Sequence, residues 1–172
     1  MIPLDAPIPS PAAASSTEQA DVIAARCLDI LEGRITPADA CGSAPAELEA
    51  LYERAYHAWN RGECDEATEL FAFLALQQPL DRRFPFAFAC ALKEQGEYRH
   101  ALTLFSQTLA MQANDPFAPF HIAECLQALG ETDAARDALD AVIALCFGQA
   151  EQDPRYDALR QRAEIQLASL NH

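Results

Sequence analysis

One spacing constrains this chain more than any other feature: Gly-Glu recurs at Gly62-Glu63, Gly96-Glu97 and Gly130-Glu131, in steps of 34 residues. Other columns keep the same step. Five residues after each glycine stands an alanine (Ala67, Ala101, Ala135). Four further on stands a large apolar residue (Phe71, Phe105, Leu139), and seven before each glycine another alanine (Ala55, Ala89, Ala123). A period of this length, sustained in several columns, is the mark of a solenoid whose repeats bury their apolar faces on one another. Glycine suits the end of a first helix, A, where the backbone needs positive φ. The alanines fall where helix A crosses a second helix, B. The Phe/Phe/Leu column fills the space against the next repeat.

The fold expected is therefore all-α, a superhelix of three helical hairpins over about 48–81, 82–115 and 116–149. Pro79 follows the first B helix, and Asp115-Pro116 opens the third A helix with a cap and an N1 proline. Gly148 is expected to end the third B helix. A capping helix follows Asp153-Pro154 to about Leu170, polar on one face through Arg155, Arg160, Arg162 and Glu164. Ahead of the repeats, residues 1–17 are rich in Pro, Ala and Ser and read as a disordered tail. Residues 18–32 read as an amphipathic helix stopped by Gly33, serving either as a cap on the first repeat or as a dimer contact. Residues 34–46, with Pro37, Gly42 and Pro45, read as a linker. The domain division is then 1–17, 18–45 and 46–172.

Acidic residues outnumber basic ones by 26 to 12, a net charge of −14. A nucleic acid would need a cationic track that the chain does not offer, and an anionic membrane surface is disfavoured for the same reason. The charge serves solubility, or helps to screen an aggregation-prone client. Residues 1–17 hold no basic residue and no apolar core of a secretion signal, and no apolar run reaches the length of a membrane span. A reducing cytoplasm is expected, with the six widely spaced cysteines acting as small apolar residues. No phosphate loop, nucleophile elbow or zinc-binding HExxH motif occurs. His121 and Cys125 stand four apart but have no further ligand beside them. The chain is read as a binding protein, not an enzyme, with no cofactor and no metal.

The binding surface is expected on the inner wall, at positions 2, 5, 6, 9, 12 and 13 of each A helix. The first repeat supplies Tyr52, Tyr56 and Trp59. The second supplies Phe86, Cys90 and Lys93, and the third Phe117, Phe120, His121 and Glu124. Position 5 reads Tyr52, Phe86, Phe120, an aromatic stripe whose helix face points to a groove rather than a core. A clamp for a terminal carboxylate would place Lys, Arg and Asn at these positions, and position 5 is aromatic throughout. An aromatic trough suits an extended, apolar, proline-bearing segment.

The columns resemble the tetratricopeptide repeat. Within that class, the stretch Phe117-Ala118-Pro119-Phe120-His121-Ile122-Ala123-Glu124-Cys125-Leu126, followed by Gly130-Glu131, is similar to the class II chaperones of bacterial type III secretion systems. Leu51-Tyr52 through Tyr56, Trp59 and Gly62, leading to Glu66-Ala67 and Phe71, is similar too. The resemblance covers about residues 46–147. It implies a cytoplasmic bacterial protein that binds hydrophobic translocator proteins before export. These are kept soluble without ATP, by holding a short Pro- and Leu-containing segment of the client in the groove. It further implies a homodimer through the N-terminal helix and, in some relatives, a transcription activator as a second partner. A general scaffold, or a chaperone of a needle or filament subunit, are the alternatives.

Overall fold

The computed structural model describes residues 16–147 and 153–170, and the expected roles of residues 1–15 and Gly148 fall outside them. The described residues form nine helices and no strand. The chain divides into two compact units, residues 1–42 and 43–172.

In the first unit, α1 (Ser16–Leu31) ends at Gly33, whose φ is 70°. Val22, Ile23, Leu28 and Leu31 are exposed on it. The stretch expected to be a linker contains a short helix, α2 (Pro37–Cys41). Local chemistry explains the difference. The Thr36 hydroxyl accepts from the Asp39 amide at 3.2 Å, and the Asp39 carboxylate accepts from the Thr36 amide at 2.9 Å. With Pro37 at the first helical position, this capping box starts a helix that the Pro and Gly content conceals. Arg26 in α1 donates to the Ala40 carbonyl at 2.7 Å, tying the two helices together.

The second unit is the solenoid. Its A helices are α3 (Pro45–Asn60), α5 (Arg83–Glu94) and α7 (Phe117–Ala128). Its B helices are α4 (Cys64–Gln77), α6 (Tyr98–Met111) and α8 (Thr132–Cys146), and α9 (Arg155–Ser169) closes it. Each helix packs on the next in chain order. All six column alanines are at most 1% exposed, and Phe71, Phe105 and Leu139 at most 2%.

The Gly-Glu column has a structural cause. Gly62, Gly96 and Gly130 have φ of 79°, 81° and 80°. The amide of the following glutamate reaches back to the carbonyl five residues earlier: Glu63 to Ala58 at 3.0 Å, Glu97 to Leu92 and Glu131 to Leu126 at 2.9 Å. This is a Schellman turn repeated three times. The same glutamates then give their carbonyls to the first turn of each B helix, through the amides of Ala67, Ala101 and Ala135.

A second column, an aspartate before each later A helix, turns the chain the other way. Asp81, Asp115 and Asp153 accept from the amides of Arg83, Phe117 and Arg155 at 3.1, 3.0 and 2.9 Å. Helix α9 thus enters as α5 and α7 do, and stands where a fourth A helix would. No helix among the described residues is long and apolar enough to cross a membrane.

A Cβ added at Gly96 would meet nothing within 4 Å, so a substitution there is resisted by backbone conformation alone. Gly96→Ala is expected to lower stability by about 1–2 kcal/mol, and Gly96→Asn by less, because asparagine tolerates the left-handed region better. Urea unfolding followed by circular dichroism measures both. Equal losses would mean that the turn is not held as described.

Candidate peptide-binding groove

The inner face of the A helices carries two adjoining cavities. One, of about 440 Å³, is lined by the rings of Tyr52, Tyr56, Phe86, Phe117 and Tyr156, together with Arg82, Arg83, Arg155, Gln112 and Asp115. The other, of about 250 Å³, has Trp59, Phe71, Ala87 and Cys90 in its walls, with Lys93, Glu94 and His121 at its edge. Tyr56 and Phe86 belong to both cavities and divide them.

Aromatic packing positions these walls. Tyr52 meets Tyr56, Phe71 and Phe84 edge-on, with ring centroids 4.9, 6.1 and 5.2 Å apart. Phe86 leans on Phe105 at 5.4 Å and on His121 at 5.6 Å, while His121 stacks on Phe105 at 5.0 Å. Edge-to-face contacts of this kind fix ring orientation beyond what burial gives. Guanidinium groups cover several of the rings: Arg83 lies 5.5 Å over Tyr52 and Arg155 5.1 Å over Phe117.

The site residues expected from sequence fall mostly along this face. Tyr52 and Phe117 line the larger cavity, and Tyr56 and Phe86 line both. Trp59, Cys90, Lys93 and His121 line the smaller. Glu124 borders a further cavity beyond Lys93. Phe120 is the correction. It is 0% exposed, packed among Leu139, Val142, Leu159 and Ala163, with the Arg162 guanidinium 4.6 Å above its ring. Each position-5 ring leans on the next A helix: Tyr52 on Phe84, and Phe86 on His121. After the third repeat, α9 takes that place and covers Phe120 completely.

Other residues join the lining beyond the expected set. The ring of Phe71, expected in the space against the next repeat, also forms the floor under Tyr56 and Trp59, at 5.3 and 6.5 Å. Arg155 and Tyr156 come from α9. The signal for them was Asp153-Pro154, which repeats Asp115-Pro116 and marks α9 as a wall helix. Arg82 pairs with the buried Asp115, bracing the start of α5 against the start of α7.

The polar groups at the edge of the smaller cavity are mutually satisfied. The Glu124 carboxylate accepts from Lys93 Nζ at 2.5 Å and stands 2.8 Å from His121 Nδ1 and 3.5 Å from Arg162. Burial alone would raise its pKa, but hydrogen bonds from His121 and Lys93 outweigh that and hold it down to about 2. Burial pushes the Cys90 thiol up to about 12, so at neutral pH it is an uncharged part of the wall. No group of three or more metal-ligating side chains occurs among the described residues.

The lowered pKa of Glu124 has a pH signature. A carboxyl titrating below its ordinary 4.5 stabilises the fold above that pH and loses the contribution as pH falls toward 2. Glu124→Gln is expected to cost about 2 kcal/mol at pH 7, a gap that closes between pH 4.5 and 2. Urea midpoints measured across that range test it; a gap independent of pH would contradict the assignment.

Comparison with known proteins agrees with this architecture. The tetratricopeptide-repeat family model matches residues 92–163. Low calcium response locus protein H of Yersinia pestis is 32% identical over 92 residues, 54% of this chain and 55% of that protein, so the match spans about half the relative's length. The translocator chaperone SycD of Yersinia enterocolitica superposes with a TM-score of 0.70 at 27% identity, over 78% of this chain and 98% of that one. PcrH of Pseudomonas aeruginosa, solved with the chaperone binding region of PopB, gives 0.65 at 30% identity, over 72% of this chain and 97% of that one. With nearly the whole of PcrH matched and the repeat columns in place, this chain belongs to the tetratricopeptide-repeat family of type III secretion translocator chaperones.

Proposed function

We propose that this chain binds a hydrophobic translocator protein of a type III secretion system in the bacterial cytoplasm and keeps it soluble until export. An extended segment of the client lies along α3, α5 and α7. The observation that carries this reading is an aromatic groove in a fold shared with PcrH, solved with the chaperone binding region of PopB, and with SycD, solved with a peptide of the translocator YopD. A translocator must later enter a membrane, so in water it exposes apolar stretches that would aggregate. Docking one of them against Tyr56, Trp59 and Phe86 removes it from water, while the charge of −14 keeps the complex dispersed. Such binding requires no catalysis, and release needs only competition from a stronger partner.

Tyr56 is the sharpest test, because it divides the two cavities and is 42% exposed. Tyr56→Ala is expected to weaken binding of a PopB chaperone-binding peptide by roughly 30-fold, the equivalent of about 2 kcal/mol for an aromatic anchor, with little change in melting temperature. Phe105→Ala serves as the contrast: its ring is 0% exposed, and truncation is expected to cost about 3–5 kcal/mol of stability. Fluorescence anisotropy and thermal melts separate the two. Unchanged affinity in a folded Tyr56→Ala variant would place the client elsewhere.

The exposed apolar face of α1 supports a homodimer, and SycD has been crystallised in an alternative dimer. Deleting residues 1–33 is expected to shift the species in light scattering toward the monomer, whereas deleting 1–17 leaves the mass per chain assembly unchanged. Equal behaviour of the two truncations would reject a dimer role for α1.

A further inference from the structure

Most charges along the groove are paired. Arg82, Arg83 and Arg155 stand around the larger cavity at one end, but Arg82 pairs with Asp115, Arg83 with Asp81 and Glu49, and Arg155 with Asp153. At the other end, Lys93 and Glu94 form a lip shared by the apolar cavity and a further one of about 360 Å³. Two of the charges at this lip are already matched, since Lys93 pairs with Glu124, which also holds His121 and Arg162. Glu94 differs: it is exposed, and it forms no ion pair with any described residue.

Nothing in the fold calls for a carboxylate there. Glu94 is the last residue of α5, where the negative end of the helix dipole opposes an anion. The same position of the other two repeats holds the uncharged Asn60 and Ala128. An unmatched anion at a helix C-terminus, beside an apolar cavity with Trp59 and Tyr56 in its wall, has the makings of a cation subsite.

We propose that Glu94 reads a basic residue flanking the apolar anchor of the bound segment. The groove then selects client segments with a positive charge on the Glu94 side. This rests on the groove being the client site, and it adds register: an unmatched anion at the end of α5, with the arginines at the far end already paired, fixes which way along the groove the segment lies. Because the pair is exposed to water, it contributes to selectivity more than to total affinity, and salt weakens it.

The test is a charge scan of a synthetic peptide of the PopB chaperone-binding region, with Lys or Glu placed at each position in turn. Binding is measured by fluorescence anisotropy to the wild type, to Glu94→Gln and Glu94→Lys, and to Asp140→Asn. Asp140 is exposed on α8 and lines none of the cavities described, so its variant controls for net charge. The wild type is expected to prefer Lys over Glu by about 3- to 5-fold at one or two adjacent positions, the size of an exposed ion pair. That preference should vanish in Glu94→Gln, invert in Glu94→Lys, persist in Asp140→Asn and shrink at high salt. Superimposable Lys/Glu profiles for the wild type and Glu94→Lys would overturn the proposal while leaving the groove reading intact, as would a preference spread evenly over all positions. Failure of the wild type to bind any peptide of the scan would sink the groove reading, and the proposal with it.

Discussion

Six alanines set the distances on which everything else depends. Ala55, Ala89 and Ala123 on the A helices, and Ala67, Ala101 and Ala135 on the B helices, are buried at the crossings within the hairpins. A larger side chain at any of them would push the axes of a hairpin apart and strain a core packed as densely as an organic crystal. With the hairpins closed, Phe105 of α6 reaches far enough to meet the next repeat. Phe105 touches both Phe86 of its own repeat and His121 of the following one. The groove is the other face of this arrangement, and its curvature is inherited from the core.

Polar groups in the groove wall are handled by mutual satisfaction. Asp115 is 4% exposed and carries both Arg82 and the Phe117 amide. Glu124 gathers Lys93, His121 and Arg162. An unpaired carboxylate in either place would be costly, because desolvation penalises an uncompensated charge far more than a pair. These clusters also join helices of different repeats: Arg82 in the turn before α5 reaches the turn before α7, and Lys93 links α5 to α7, with Arg162 adding α9. The wall that would meet a client is thereby braced before any client arrives, which limits the ordering entropy that binding must overcome.

The repeat was legible because its columns record local requirements that recur. A positive φ is needed at every A-helix end, so Gly62, Gly96 and Gly130 stand in register. The aspartates before α5, α7 and α9 are equally local, and they show α9 to be more than a polar cap. Helix α2 is hidden in the sequence because its signal, Thr36-x-x-Asp39 around Pro37, lies in a stretch whose composition otherwise reads as loop. The inner wall was legible as a set of helix positions. Its degree of opening was not, as Phe120 makes plain.

Positions within the repeat, and hence which residues share a helix face, follow from the sequence alone, since a period of 34 and the turn chemistry leave little freedom. The aromatic character of the groove and the acidic charge follow in the same way. Only the tertiary structure decided which rings stay open. Tyr52, Phe86 and Phe120 occupy one column, yet their exposure depends on what the next A helix lays over each: Phe84, His121, or Arg162. That neighbour lies more than thirty residues along the chain. Its side chain, not the column, determines whether water or a client can reach the ring.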